Sequence, residues 1–197
     1  MRPAVLLIVA LIFPAVCLAD TIHVPGDYLT IQEGINAAVN GDVVLVAPGT
    51  YFENIGFQGK TITVQSEKGP VRTVVDGQKS VVASFGNYEN NDSVLDGFTI
   101  NNGKIGIYCK KSCPTLINNI VTGNVAGLDN GGGIFCYESY NLKLINCIVV
   151  NNSSVKGGGV YCGHSTPKII NCTIAWNWGS KGHNNERVRQ DKARPAD

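Results

Sequence analysis

The sequence predicts an all-β fold, a right-handed parallel β-helix of about five to six rungs with a short N-terminal capping helix. Three observations carry this: a repeat of short apolar runs, glycine triplets that lead into the same motif, and asparagines that recur at one place. Four segments align, "LDGFTINNG" from Leu95, "LINNIVTGN" from Leu116, "LINCIVVNN" from Leu144 and "IINCTIAWN" from Ile169, with starts 21, 28 and 25 residues apart. A second ladder runs through "GIYC" at Gly106, "GIFC" at Gly133 and "GVYC" at Gly159. Each repeat holds about three β-branched runs separated by Gly and Asn, too short for helices. One such repeat cannot bury its apolar face alone, whereas stacked repeats form a continuous core.

Alternation along a strand then assigns faces. Ile107, Ile134 and Val160 point inward, with Cys109, Cys136 and Cys162. Leu95, Leu116, Leu144 and Ile169 form a second inward column; Ile100, Val121, Val149 and Ile174 form a third. Tyr108, Phe135 and Tyr161 fall on the outside. The glycine runs at "GGGIFC" and "GGGVYC" mark corners where the backbone needs positive φ. Asn118, Asn146 and Asn171 share a turn position suited to left-handed backbone, and in register their amides can hydrogen-bond along the stack. Asn124, Asn152 and Asn177 form a second such file.

The ends differ. Residues 1–19, one basic residue followed by a short apolar run and small residues, read as a secretory signal peptide cleaved before Asp20. Thr30 and Glu33 form a capping box ahead of Ile31, Ile35, Ala38 and Val39, and Asn40-Gly41 is a stop signal. This helix is expected to cover the first rung within a β-helix domain spanning residues 20–178. Residues 179–197 are polar, without periodicity, and read as a disordered tail. No matching cap is visible at the C-terminal end, where Trp176 and Trp178 are expected to shield part of the last rung. Self-association through that end is the partner this implies.

Charge narrows the partners. Lys and Arg number 16 against 15 Asp and Glu, so nothing resembles the basic footprint of a nucleic-acid binder. After export six cysteines remain, an even number compatible with disulfides, and their pairing is left open. The segment "TIQEGINAAVNGDVVLVAPGTYFENI" resembles the opening of right-handed parallel β-helix proteins of the pectin lyase-like superfamily. "NNIVTGNVAGLDNGGGIFC" is similar to repeats of the polymorphic outer-membrane type. The resemblance covers about residues 21–178 and implies the fold. Its members include pectate lyases, pectin methylesterases, polygalacturonases, alginate epimerases and surface proteins without a reaction, so it does not select a function.

Two chemistries follow. A lyase-like reading needs calcium and a base. Asp76 in "VVDG" and Asp96 in "VLDG" are expected in one column, about 5 Å apart, as a calcium site. Arg72, Lys104, Lys110 and Lys111 are the candidate bases. His164 stands alone, and Asp92 and Asp129 sit in turn-rich loops. A binding reading rests on Tyr108, Phe135 and Tyr161, flanked by Tyr137 and Tyr140, as a ladder that contacts a polysaccharide or cell-surface glycan. The sequence favours the latter: an exported, non-catalytic surface or carbohydrate-contacting module that needs no cofactor, with a calcium-assisted uronan-modifying enzyme as the alternative.

Overall fold

The computed structural model describes residues 19–179 and 190–191. The expected signal peptide lies almost wholly outside the described residues. So does the polar tail, apart from Gly179 and the strand Gln190–Asp191, which pairs with Lys168–Ile170. Every strand pairing among the described residues is parallel, and the chain winds through three sheets in turn to give a β-solenoid of about six turns. The first sheet contains Val43–Val46, Thr63–Ser66, Val94–Asp96, Thr115–Ile117, Lys143–Ile145 and Lys168–Ile170, with Thr21–Val24 at its start. The second runs from Gly49–Tyr51 to Thr173–Ala175, and the third from Ile55–Gly56 to Val160–Gly163.

The apolar columns form as alternation requires. Val44, Val64, Leu95, Leu116, Leu144 and Ile169 are register partners from rung to rung. Each is buried, contributing about 1.5–3 kcal/mol by removal from water. Val75, Ile100, Val121, Val149 and Ile174 stack in the second sheet, and Ala83, Ile107, Ile134 and Val160 in the third.

The glycine triplets divide their work. Gly131 and Gly157 take positive φ, 71° and 65°, as corner residues should. Their successors do not. Gly132, Gly133 and Gly158 are needed because another backbone runs too close for a side chain, and Gly159 because the Asn177 side chain does: a Cβ on Gly133 would strike the Gly159 carbonyl and lie 2.9 Å from Asn152 Nδ2.

The helix Ile31–Ala37 closes the first rung. Its capping box is complete: Thr30 Oγ1 accepts from Glu33 N–H at 3.1 Å, and the Glu33 carboxylate accepts from Thr30 N–H at 3.2 Å. The first turn of the next rung supplies what the helix sequence cannot. Both Glu53 carboxylate oxygens accept from the helix N-terminus, Ile31 N–H at 2.9 Å and Gln32 N–H at 3.0 Å. At the other end Lys60 Nζ donates to the carbonyls of Ile35, Asn36 and Ala38 at 2.7, 2.8 and 2.8 Å. A carboxylate at the positive end and an ammonium at the negative end both oppose the helix dipole. Because Lys60 takes the terminal carbonyls, the helix stops at Ala37, short of the Asn40-Gly41 stop, and Val39 is exposed rather than on the apolar face. Lys60→Met is expected to cost about 1–2 kcal/mol, read as a lower urea midpoint at unchanged slope.

At the C-terminal end the expected shielding fails. Trp176 is 82% exposed and Trp178 65%, while inward-facing Ile174 and Cys162 are only half-buried. Trp176 occupies a left-handed corner with φ 53°, and its ring is turned to solvent instead of lying over the core.

Candidate functional surface

The third sheet presents the outward aromatics. Period-two alternation buries Ile107, Ile134 and Val160 and turns the intervening residue out, so Tyr108 pairs with Phe135 and Phe135 with Tyr161. The three rings form one stack. Centroids are 5.1 Å apart at 3° between Tyr108 and Phe135, and 5.3 Å apart at 10° between Phe135 and Tyr161. Tyr137 runs nearly parallel to Phe135 at 6.5 Å and meets the His164 ring edge-on at 5.6 Å. The rung spacing of a parallel sheet matches the thickness of stacked rings, so the ladder follows from register. Its consequence is chemical. Phe135 has both faces engaged and Tyr108 and Tyr161 one each, leaving edges, the outer faces of the two end rings and the hydroxyls of Tyr108 and Tyr161 for contact with a ligand. Tyr140 is exposed but lies beyond the strand.

The carboxylate pair does not assemble. Asp76 lies in the second sheet opposite Asn101, whereas Asp96 lies in the first, opposite Gln65 and Ile117. The "VVDG" and "VLDG" motifs share wording because both sheets end strands at similar corners, and the 20-residue offset between them is shorter than the local rung, in which Val75 pairs with Ile100. Each carboxylate instead anchors an amide. Asp76 Oδ1 accepts from Asn102 Nδ2 at 2.8 Å and from Gln78 N–H at 3.0 Å. Asp96 Oδ1 accepts from Asn118 Nδ2 at 2.9 Å. The shared column on which the calcium site was based is therefore corrected.

The candidate bases are dispersed. Lys104 Nζ sits 2.6 Å from Asp129 Oδ2 and Lys111 Nζ 3.7 Å from Glu138 Oε2, both exposed ion pairs. Arg72 is exposed in a turn after Gly69, and Lys110 is exposed at the end of its strand.

The asparagine files are the most ordered polar feature. Asn118, Asn146 and Asn171 adopt left-handed φ of 53°, 54° and 50°. Asn171 Nδ2 donates to Asn146 Oδ1 at 2.7 Å, and Asn146 Nδ2 to Asn118 Oδ1 at 3.4 Å, so this exposed ladder ends on Asp96. The second file is buried at Asn124 and Asn152 and half-buried at Asn177. Asn124 Nδ2 donates to Asn152 Oδ1 at 2.9 Å, and Asn152 Nδ2 to Asn177 Oδ1 at 3.0 Å.

Sequence reasoning missed Glu89, buried in a loop. Its carboxylate accepts from Gly59 N–H, Asn87 N–H and Ser112 Oγ at 2.8, 2.8 and 2.7 Å. No periodicity marks it, since its partners lie 30, 2 and 23 residues away.

No protein-family model matches the chain, and no solved structure matches it. It is similar to a protein named "Cell surface glycoprotein" from Methanothermus fervidus, 31% identical over 110 residues. The match covers 54% of this chain and 18% of that protein, so the chain spans under a fifth of its relative's length.

Proposed function

We propose that the chain is an extracytoplasmic β-solenoid module displayed at a cell surface, which contacts glycan through the outward strip of Tyr108, Phe135 and Tyr161. The observation that carries this reading is the ring stack, a half-buried ordered edge held at fixed spacing by the sheet beneath it. The similarity to a protein named as a cell surface glycoprotein supports the location. The likeness of its opening segment and repeats to the pectin lyase-like superfamily belongs to the same proposal. With the inner faces occupied by neighbouring rings, a sugar would meet ring edges and tyrosine hydroxyls along the strip, a mode that favours hydrogen bonding over face stacking except at the two end rings.

Glycan-array binding tests it. Replacing Tyr108 and Tyr161 together by Ala is expected to weaken binding at least about tenfold, since loss of two such contacts is worth about 1.4 kcal/mol or more. Unchanged binding in a variant with wild-type melting would remove the strip from the proposal. Surface proteolysis of intact cells separately tests location.

A further inference from the structure

We propose that Cys172 and Cys147 form a reactive dithiol that exchanges with external disulfides and closes to a disulfide joining two adjacent rungs. The placement comes from register. Ile120, Ile148 and Thr173 are ladder partners, so the residues just before them, Asn119, Cys147 and Cys172, lie in one file at the corner between the first and second sheets. Within this file the lower rung uses an amide: Asn119 Oδ1 accepts from Phe98 N–H at 2.9 Å, and Asn119 Nδ2 donates to the Leu95 carbonyl at 2.8 Å. Two rungs higher the same duty falls to sulfur, with Cys147 N–H donating to Cys172 Sγ at 3.3 Å. A thiol is the weaker acceptor, so hydrogen bonding alone gives no reason to prefer cysteine to asparagine in the upper rungs.

Burial divides the roles. Cys147 is 1% exposed, with its sulfur 3.4 Å from the carbonyls of Leu116 and Ile145, whereas Cys172 is half-buried and reachable from solvent. Adjacent rungs of a parallel sheet stand about 4.8 Å apart, within the Cα separation that a disulfide spans. The other file, Cys109, Cys136 and Cys162, is buried along most of its length, with only Cys162 partly open. Thiol acidity runs the same way. A hydrogen bond from the Cys147 thiol, reinforced by Cys147 N–H, lowers Cys172 to about 7, whereas hydrogen bonding to Cys136 and burial push Cys162 up. A thiolate near neutrality is the attacking species in exchange.

The step balances with a low-molecular-weight disulfide as oxidant. Cys172 thiolate attacks one sulfur, the external S–S bond breaks, and one thiolate leaves and takes the proton that Cys172 gave up. Cys147 sulfur then attacks Cys172 sulfur in the mixed disulfide, its proton passing to the second departing thiolate. Two protein thiols are oxidised and one disulfide is reduced to two thiols. The bond would fasten the rung whose inward residues are the least buried, where fraying begins.

The proposal takes its oxidising setting from the surface reading, but its chemistry is tested apart from location. Reduced full-length chain is incubated with glutathione disulfide and mapped by non-reducing peptide mass spectrometry, and parallel samples are pulsed with iodoacetamide at neutral pH. The expected result is a Cys147–Cys172 peptide, alkylation of Cys172 at least about tenfold faster than Cys113, and loss of the bridge in Cys172→Ser with circular dichroism unchanged. A first bridge within Cys109, Cys136 and Cys162, or Cys172 reacting no faster than Cys113, would overturn it. Failure of the surface proteolysis with exchange intact would remove the location alone.

Discussion

Asn152→Ala is expected to destabilise the fold by about 3 kcal/mol or more, the signature of a buried hydrogen-bond network losing its centre. Asn152 is 1% exposed, and its Oδ1 accepts from Asn124 N–H at 3.0 Å and from Asn124 Nδ2 at 2.9 Å. Its Nδ2 donates to the carbonyls of Val121 and Val150 at 2.9 and 3.0 Å. Alanine leaves these donors and acceptors in a space that water does not reach, and each unsatisfied group costs about 1–3 kcal/mol. Asn152→Asp restores the acceptor but turns a carboxylate oxygen toward two carbonyls, so it should fare no better. Asn171→Ala is the control: its ladder is exposed, water replaces the lost bond, and the cost should stay below about 1 kcal/mol. Chemical denaturation of the three variants checks the ordering, and equal losses at both sites would contradict the account of the buried file.

Gly133→Ala should be about as damaging, about 3 kcal/mol or failure to fold. The added methyl would meet the Gly159 carbonyl, Asn152 Nδ2 at 2.9 Å and Val149 Cγ1 at 3.0 Å, two of them fixed by the ladder of the next rung. Backbone cannot yield there without breaking register. Gly86→Ala, with nothing within 4 Å of the new methyl and no positive φ, should be neutral. The contrast separates crowding from the general flexibility of glycine, because both substitutions remove the same backbone freedom from the unfolded chain.

What the sequence made legible was whatever repeats. The columns through Leu116, Leu144 and Ile169, the ring ladder and the left-handed asparagines all followed from aligning short segments, since stacking turns equal position into contact. The capping box was equally local. What stayed hidden depends on contacts that no repeat encodes. Glu53 and Lys60 clamp the two ends of the helix from the neighbouring rung, and nothing in the local sequence marks either as a helix partner. Aspartates 76 and 96 failed differently. A short motif matched itself across two sheets, and nothing in "VVDG" and "VLDG" says which corner of the rung each one turns. The glycine triplets were half legible: the need for positive φ is a property of one residue, but the crowding at Gly133 comes from a strand 26 residues further on.

The coiling of the chain into parallel, in-register rungs underlies every statement about site and ladder. Solution NMR on the isotope-labelled chain tests it most directly, through nuclear Overhauser contacts between residues on neighbouring rungs. The account predicts inter-strand contacts linking Leu95 to Leu116, Leu116 to Leu144 and Leu144 to Ile169, with the amide pattern of parallel pairing. Close Hα–Hα contacts typical of antiparallel strands, or contacts offset from these partners, would contradict it.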